Sequence, residues 1–264
     1  MIATDNAPVV EFQVDSLRVV VHEDRARMGR VAASEVARTI AKRQAVAGKI
    51  RIVFAAAPSQ DEFLASLIAL SGIEWTHVIG FQMDEYLKIS PDHRGSTRRY
   101  LQERLFRWTA IPADCLHLIP GERADHPLQV ALDYAALLER EPVDLVCGGI
   151  GDNGHLAFND PHSADFLDPV AVKVVRLDEP CRRQQLADDC FLQLADVPTH
   201  AYTWTIPALL RAPVLSMVVP GARKAQAVLA TVRGPIGEHC PASILRTHPG
   251  ATLHLDRESA RLLL

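Results

Sequence analysis

A polar stretch of nine residues carries the densest group of side chains able to do chemistry. The side chains of this kind in residues 152–160 are Asp152, Asn153, His155, Asn159 and Asp160. A histidine has a pKa of about 6.5 and can accept and return a proton near neutral pH, while a carboxylate on its other ring nitrogen sets its tautomer and orientation. The stretch therefore predicts a proton-transfer site centred on His155.

Asp84 supplies a second carboxylate. It is the first acidic residue after the apolar run that leads into the motif F-Q-M-D-E-Y at residues 81–86. A carboxylate in this place can remove a proton from a carbon atom of a bound molecule. The alternative is a structural role in which Asp84 caps a turn or a helix.

Two predicted strand-to-helix junctions are suited to anions. The segment A-P-S-Q-D at residues 57–61 offers backbone N–H groups, a helix dipole and the Ser59 hydroxyl to a phosphate. It lacks the pattern G-x-x-x-x-G-K-[ST], so we do not expect it to bind a nucleoside triphosphate. The segment P-G-A-R-K-A at residues 220–225 puts Arg223 and Lys224 at a helix start, where the dipole disfavours cations. An anionic ligand would explain them, and the alternative is a pair of solvated side chains.

Residues 149–154 read G-I-G-D-N-G, which matches the glycine pattern of dinucleotide-binding folds. In those folds the pattern opens a helix of ordinary length. Here six residues separate Gly154 from Pro161, and they show no helical periodicity. Asp178 could imitate the acid that binds the ribose, but we favour a loop over a nicotinamide or flavin site.

Short β-branched runs alternate with helix-length segments along the chain. The predicted strands are residues 17–21, 51–56, 75–81, 116–119, 143–147, 170–176 and 214–219, and the predicted helices are residues 23–47, 60–70, 97–109, 128–140 and 222–232, with a final strand and helix in 252–264. This order predicts an α/β fold: a single doubly wound, mostly parallel sheet flanked by helices, Rossmann-like, with residues 1–264 as one domain. Ligands of such sheets bind at the carboxyl ends of the strands, where the polar segments fall.

The composition excludes several classes of protein. The 264 residues include 28 Lys+Arg and 32 Asp+Glu, a formal net charge of -4, so we expect no binding to nucleic acid or to a membrane surface. No apolar run approaches the roughly 18 residues of a membrane span, and the first residues do not resemble a secretion signal. The five cysteines stand singly, which predicts no disulfide, no metal site and a cytoplasmic location.

Taken together, the motifs resemble the glucosamine-6-phosphate deaminase/isomerase family, which shares a superfamily with the 6-phosphogluconolactonases. The most specific matches are F-Q-M-D-E-Y at residues 81–86 and G-G-I-G-D-N-G-H-L-A-F-N-D-P at residues 148–161, and the resemblance covers nearly the whole chain. It implies a small-molecule sugar phosphate as ligand and neither a metal nor an organic cofactor. A homo-oligomer is possible.

The resemblance also implies roles for individual residues. Asp84 matches the acid that moves a proton between sugar carbons 2 and 1, and His155 matches the histidine that opens the pyranose ring. Asp160 stands where the family usually has a Glu that orients this histidine. The predicted contacts to phosphate and substrate are Ser59, Gln60, Gly151, Lys224 and Arg182.

The sequence departs from the family's pattern at two places. Before the ring-opening histidine the family reads N-D-G-H and this chain reads D-N-G-H, so Asn153 replaces a catalytic Asp and can orient a neighbour but not accept a proton. The family's phosphate loop T-G-G-T-P becomes A-A-P-S-Q, in which Pro58 removes one N–H. Gln185 falls nearest to the family's phosphate-binding arginine, so Arg182 and Arg183 are candidate substitutes.

Three functions follow from these residues. The leading one is a sugar-phosphate isomerase of carbohydrate metabolism that converts an amino-sugar 6-phosphate to a ketose phosphate and ammonia. The second is a hydrolase of a sugar-phosphate lactone, which needs the phosphate site and His155 but no base at carbon 2. The third is a paralogue that binds a sugar phosphate without turnover, suggested by Asn153 and Pro58. Asp84 distinguishes the first from the second.

Overall fold

The computed structural model describes residues 8–264, and strands alternate with helices through most of this range. The strands are β1 (Val10–Val14), β2 (Leu17–His22), β3 (Ile50–Phe54), β4 (Val78–Gln82), β5 (Asp84–Tyr86), β6 (Leu116–His117), β7 (Leu145–Gly148), β8 (Val172–Arg176), β9 (His200–Trp204), β10 (Val214–Val219) and β11 (Ala251–Asp256). The helices are α1 (Arg25–Ala47), α2 (Asp61–Ala69), α3 (Thr97–Arg104), α4 (Pro127–Glu139), α5 (Glu179–Ala187), α6 (Ile206–Leu210), α7 (Ala225–Arg233) and α8 (Arg257–Ala260).

Eight strands form one large sheet in the order β1-β2-β11-β10-β7-β3-β4-β6. Every neighbouring pair is parallel except β1 and β2. From β3 the order runs outward to β4 and β6, and from β7 it runs the other way through β10 and β11. The loops after β3 and β7 therefore diverge and leave a crevice at the carboxyl edge. The predicted α/β class with a mostly parallel sheet flanked by helices is confirmed.

Apolar cores cover both faces of the large sheet, which explains why its central strands show no polar alternation. In β3, Ile52 and Phe54 belong to one core and Val53 to the other, as expected when successive side chains point to opposite faces. Helix α1 supplies the first core with residues spaced four apart, among them Met28 and Val36. Helices α4 and α7 supply the second core.

A second, antiparallel sheet of three strands in the order β5-β9-β8 was not predicted. Its first strand, β5, follows β4 after the single residue Met83, so the small sheet begins at the carboxyl edge of the large one. The sequence analysis found β8 but missed β9. Four of the five residues of β9 are buried, so this strand has no alternation of polar and apolar residues that would reveal it.

Strand β1 was also not predicted, and further differences concern helices. Residues 75–77 form a 3-10 helix, so the prediction of a strand from residue 75 is wrong at its start, and β4 begins at Val78, the first residue paired with β3. Helix α5 was not predicted, although Asp178 caps its first turn and a proline follows at the second helical position. Within residues 8–264, no helix combines the length and apolar character that a membrane span requires.

Candidate active site

A cleft opens at the carboxyl edge of the large sheet, where the strand order reverses. The open space within it, counted together with the solvent at its mouth, is about 510 Å³. The loops after β3, β4 and β7 form its wall together with α5 and the turn before α7. The predicted site residues that line it are Ser59, Gln60, Asp84, Gly151, His155 and Lys224.

His155 is held by two residues of its own loop. Its Nδ1 lies 2.8 Å from Asn153 Oδ1 and 3.1 Å from Asp160 Oδ1. The Asn153 amide nitrogen donates to the Asp160 carboxylate at 3.0 Å, so the amide oxygen is the atom that faces the ring. Because both neighbours of Nδ1 are acceptors, the neutral ring carries its proton on Nδ1 and keeps the lone pair of Nε2 as its basic atom.

Asp160 is fully buried behind this histidine. Burial raises the pKa of its carboxyl, but the hydrogen bonds from His155 and Asn153 outweigh burial and hold the pKa below its ordinary value. The group is therefore ionised at neutral pH. A buried carboxylate next to Nδ1 fixes the orientation and the tautomer of the ring, and so leaves Nε2 free to act as a general base.

The glycines of the loop after β7 make room for His155. A Cβ at Gly151 would lie 2.2–2.3 Å from three atoms of the His155 ring. Gly154 has a φ of 85°, and a Cβ there would come within 2.8 Å of Cys240 Sγ. Residues 149–160 contain turns but no helix. The glycines of this loop permit a tight turn beside His155 and do not open a helix. The structure therefore does not support a dinucleotide-binding site.

Asp84 begins β5 at the point where the chain passes from the large sheet to the small one. The residue is 7% exposed, and burial raises the pKa of its carboxyl to about 8, with a smaller contribution from the charge of Glu85. Among residues 8–264, no side chain or backbone group forms a hydrogen bond with this carboxylate; the bonds made by Asp84 use its backbone. A carboxylate in a cleft with a pKa near neutrality is suited to removing and returning a proton.

Glu85, the next residue, points into the protein. Its carboxylate accepts hydrogen bonds from the backbone N–H groups of Thr97 and Arg98 at the start of α3, and from the Ser96 hydroxyl at 2.7 Å. These are the contacts of a helix cap. The structural role considered for Asp84 therefore belongs to Glu85, which ties β5 to α3 and leaves Asp84 facing the cleft. The sequence analysis missed this role.

The loop after β3 contributes neutral polar groups. Residues 58–60 form a 3-10 helix that leads into α2. The Gln60 amide donates to Ser59 Oγ at 3.1 Å. A Cβ at Gly149 would lie 2.9 Å from the Gln60 amide, so this glycine allows the loops after β3 and β7 to approach each other.

The turn before α7 contributes positive charge. Lys224 is 6% exposed, and its Nζ lies 2.6 Å from Asp152 Oδ1. Arg223 Nε lies 3.7 Å from the same carboxylate, and its Nη2 contacts Asp188. The sequence analysis offered an anionic ligand or solvation as the explanation of the two cations, and it did not foresee that acids of the same chain pair with them.

Arg182 is not brought to the cleft with the other predicted residues. Its guanidinium donates to the carbonyl oxygens of Leu194 and Val197, at 2.7 and 2.9 Å from Nη2. The cleft is lined instead by Gln184 and Gln185 from the same helix. The Gln184 side chain accepts the backbone N–H of Asp152 at 2.8 Å and was missed, because α5 itself was not predicted.

Two trios of potential metal ligands converge near the histidine, although no ligand spacing is visible in the sequence. They are His155 with Asp160 and Cys181, and Asp160 with His162 and Asp178, each trio having its ligand atoms within 4.8 Å of one another. In the first trio, Asp160 is already hydrogen-bonded to His155 and Asn153. In the second, Asp178 caps α5 through the Cys181 N–H at 2.7 Å. Hydrogen bonds and ion pairs within the chain therefore explain why the residues of both trios lie close together.

Comparison with known sequences identifies relatives along most of the chain. The family described as glucosamine-6-phosphate isomerases/6-phosphogluconolactonase matches residues 23–254. A glucosamine-6-phosphate deaminase of Listeria innocua is 32% identical over 234 residues, which is 89% of this chain and 97% of that protein. A glucosamine-6-phosphate deaminase of Exiguobacterium sibiricum is 36% identical over 193 residues, 72% of this chain and 73% of that protein.

Solved structures show the same fold. A structure described as a monomeric glucosamine-6-phosphate deaminase superposes with a TM-score of 0.85 at 27% identity, over 92% of this chain and 99% of that one. A 6-phosphogluconolactonase from Thermotoga maritima superposes with a TM-score of 0.73 at 18% identity, over 91% of this chain and 99% of that one, which shows a shared fold.

Proposed function

Because the chain belongs to the glucosamine-6-phosphate isomerase/6-phosphogluconolactonase family, we propose that it is an enzyme that converts an amino-sugar 6-phosphate to a ketose phosphate and ammonia. The relatives named as glucosamine-6-phosphate deaminases support this activity over the others in the family. The substrate class is a glucosamine-6-phosphate-like aldose.

The observation that carries the proposal is the state of Asp84. Its carboxyl lies in the cleft with a pKa raised to about 8 by burial, and its neighbour Glu85 takes the structural contacts. A base that removes a proton from carbon needs a raised pKa, because proton transfer is most effective when the pKa of the catalyst lies near the working pH. Hydrolysis of a lactone has no step at carbon 2 and no use for such a group.

His155 begins the reaction in this proposal. Its Nε2 takes the proton of the anomeric hydroxyl, the ring C–O bond breaks, and the imidazolium, which is paired with Asp160, passes that proton to the ring oxygen to give an open-chain aldehyde. Asn153 holds the ring through its amide oxygen, 2.8 Å from Nδ1. An amide supplies this orientation as well as a carboxylate does, so the departure at Asn153 is compatible with turnover.

Asp84 then acts on the open chain. Its carboxylate removes the proton from carbon 2 while the substrate ammonium group passes a proton to the carbonyl oxygen, which gives an enolamine, and the protonated acid then returns its proton to carbon 1. The product is an imine at carbon 2, which water hydrolyses to the ketone with release of ammonia. Each acid–base step contributes roughly 10²–10⁴ in rate.

We also propose that the protein is cytoplasmic. The five cysteines are free thiols, which suits a reducing compartment.

The test is exchange of the hydrogen on carbon 2 with solvent deuterium. Wild-type protein incubated with glucosamine 6-phosphate in deuterated buffer should incorporate deuterium and release ammonia. Asp84→Asn should abolish both while ligand affinity stays within a few-fold, because the amide keeps the shape of the carboxyl but not its basicity. Asp133→Asn, at an exposed position on α4, is the matched control and should behave as wild type. Near-normal exchange and ammonia release by Asp84→Asn would exclude Asp84 as the base. A wild-type protein that releases no ammonia but hydrolyses a 6-phosphogluconolactone would instead be a lactonase.

A further inference from the structure

The two basic side chains at the turn before α7 already form ion pairs with acids of this chain. Lys224 Nζ lies 2.6 Å from Asp152 Oδ1, and the Lys224 side chain is 7% exposed. Arg223 lies between two acids, with its Nε 3.7 Å from Asp152 Oδ2 and its Nη2 against Asp188. The two cations that are placed to receive a phosphate therefore face two carboxylates.

Asp152 differs from Lys224 in its freedom to move. The backbone of Asp152 is fixed by the Gln184 side chain, which accepts its N–H at 2.8 Å. Its carboxylate, however, is 31% exposed, so it can turn toward water when another anion takes its place. The buried Lys224 ammonium cannot be left without an anionic partner at low cost, because an unpaired buried charge is strongly unfavourable.

A phosphate that reaches Lys224 meets this carboxylate. Two anions on one ammonium repel each other, and the repulsion is strong where burial weakens solvent screening. The phosphate and the carboxylate therefore compete for Lys224.

We infer that Asp152 is an internal counter-ion of Lys224 that a phosphorylated ligand must displace, so that Asp152 sets the affinity of the site for phosphate. The inference rests on the proposed function only in requiring that the ligand carries a phosphate. Asp152 is thus a specificity-determining residue. Ligands with further contacts in the cleft offset the cost of displacement, whereas inorganic phosphate does not.

The test measures the affinity of inorganic phosphate, without turnover, by isothermal titration calorimetry. Asp152→Asn removes the competing charge and should tighten phosphate binding about tenfold, equivalent to about 1.4 kcal/mol. Asp152→Ser provides a second variant with the same expected direction if the first does not fold. In a Lys224→Met background, the substitution at Asp152 should give no gain, because the shared partner is gone.

A matched control exists elsewhere in the chain. Lys173 Nζ and Asp168 Oδ2 form a similar pair at 2.7 Å, away from the cleft, so Asp168→Asn changes the net charge equally and should leave phosphate affinity within twofold of wild type. Equal phosphate affinities for wild type and both Asp152 variants would overturn the inference. A gain in phosphate affinity that persists in the Lys224→Met background, or that appears with Asp168→Asn, would also overturn it. Because no assay here requires ammonia release, this result is independent of the one that tests the proposed function.

Discussion

Two adjacent carboxyl groups, Asp84 and Glu85, have opposite surroundings although both are buried. Glu85 accepts several hydrogen bonds from α3 and its preceding turn. Asp84 accepts none at its carboxylate from the described part of the chain, and its pKa is raised to about 8. The protein thereby keeps a destabilised group in its cleft, a pattern typical of sites in which stability is sacrificed for reactivity.

The raised pKa of Asp84 predicts a specific dependence of stability on pH. The folded state holds the Asp84 proton up to about pH 8, whereas the unfolded chain releases it near pH 4. The contribution of this carboxyl to the free energy of unfolding therefore decreases as the pH rises from about 4 to about 8. Asp84→Asn does not titrate, so its stability advantage over wild type should grow from pH 5 to pH 8, by up to about 4 kcal/mol for three pKa units.

Denaturant unfolding of both proteins at pH 5, 6.5 and 8 measures this difference. Asp133→Asn serves again as the control and should show no pH-dependent gain. An advantage of Asp84→Asn that is constant across this range would contradict the raised pKa.

His155 should matter for only part of the reaction. Its proposed task ends when the pyranose ring opens, so His155→Gln should slow turnover of the closed sugar by roughly 10²–10⁴. An open-chain analogue bypasses that step, so its turnover should slow much less in the variant. Single-turnover kinetics with both substrates provide the comparison, and equal losses would assign His155 to a later step.

At the scale of elements, the loop after β7 has a geometry set by the close contact of Gly151 with the His155 ring. Gly151→Ala places a Cβ about where the ring now lies, so the ring must shift. A displacement of about 1 Å at a catalytic group can cost about 100-fold in rate, and we expect a loss of kcat of that order with the fold retained.

Gly237→Ala is the matched control for this substitution. Its Cβ would also approach a histidine ring, that of His239 at 2.8 Å, but this side chain is exposed and can move away. Its steady-state kcat should equal that of wild type. A Gly151→Ala enzyme with normal kcat would show that the position of the His155 ring is not critical.

The elements also show what the sequence could and could not predict. Strands β3 and β7 are predictable because burial on both faces makes them continuous apolar runs, and the polar loops after them could be placed at one edge of the sheet. Asp84, His155 and Lys224 follow β4, β7 and β10 in the same way, so the sequence alone could place them near one another. The acid partners of Lys224 and Arg223 were not, because Asp152 and Asp188 lie 72 and 35 residues away and meet the cations only through the fold. Gln184 was missed with its helix.

At the scale of the whole molecule, the two sheets are joined at the cleft. The Trp204 indole of β9 donates to the Gln82 carbonyl of β4 at 3.1 Å, and its backbone N–H donates to Met83 O. The Gln82 side chain in turn donates to the Asp84 carbonyl at 2.9 Å. These buried bonds connect the sheets directly, so neither sheet can unfold without exposing polar groups of the other.

We therefore predict a single unfolding transition for both sheets, as expected if residues 1–264 form one domain. Trp204 reports on the small sheet, and far-ultraviolet circular dichroism reports mainly on the helices around the large one. In a Trp75→Phe/Trp108→Phe background, the midpoints of the fluorescence and dichroism melting curves should agree within about 2 °C, which is no more than the shift of about 2–4 °C per kcal/mol expected for a chain of this size. Two separated transitions would indicate independent units.

The placement of Asp84 on the small sheet and of His155 and Lys224 on the large one has a consequence for how such proteins diverge. Under the proposed mechanism, mutations that shift β5 would create or remove the base at carbon 2 while Lys224 and His155 stay in place. One scaffold can in this way support both isomerase and hydrolase chemistry. In directed evolution, a library confined to residues 83–86 and 200–204 would change the type of reaction, whereas a library at residues 57–60 and 220–225 would change the range of anions accepted.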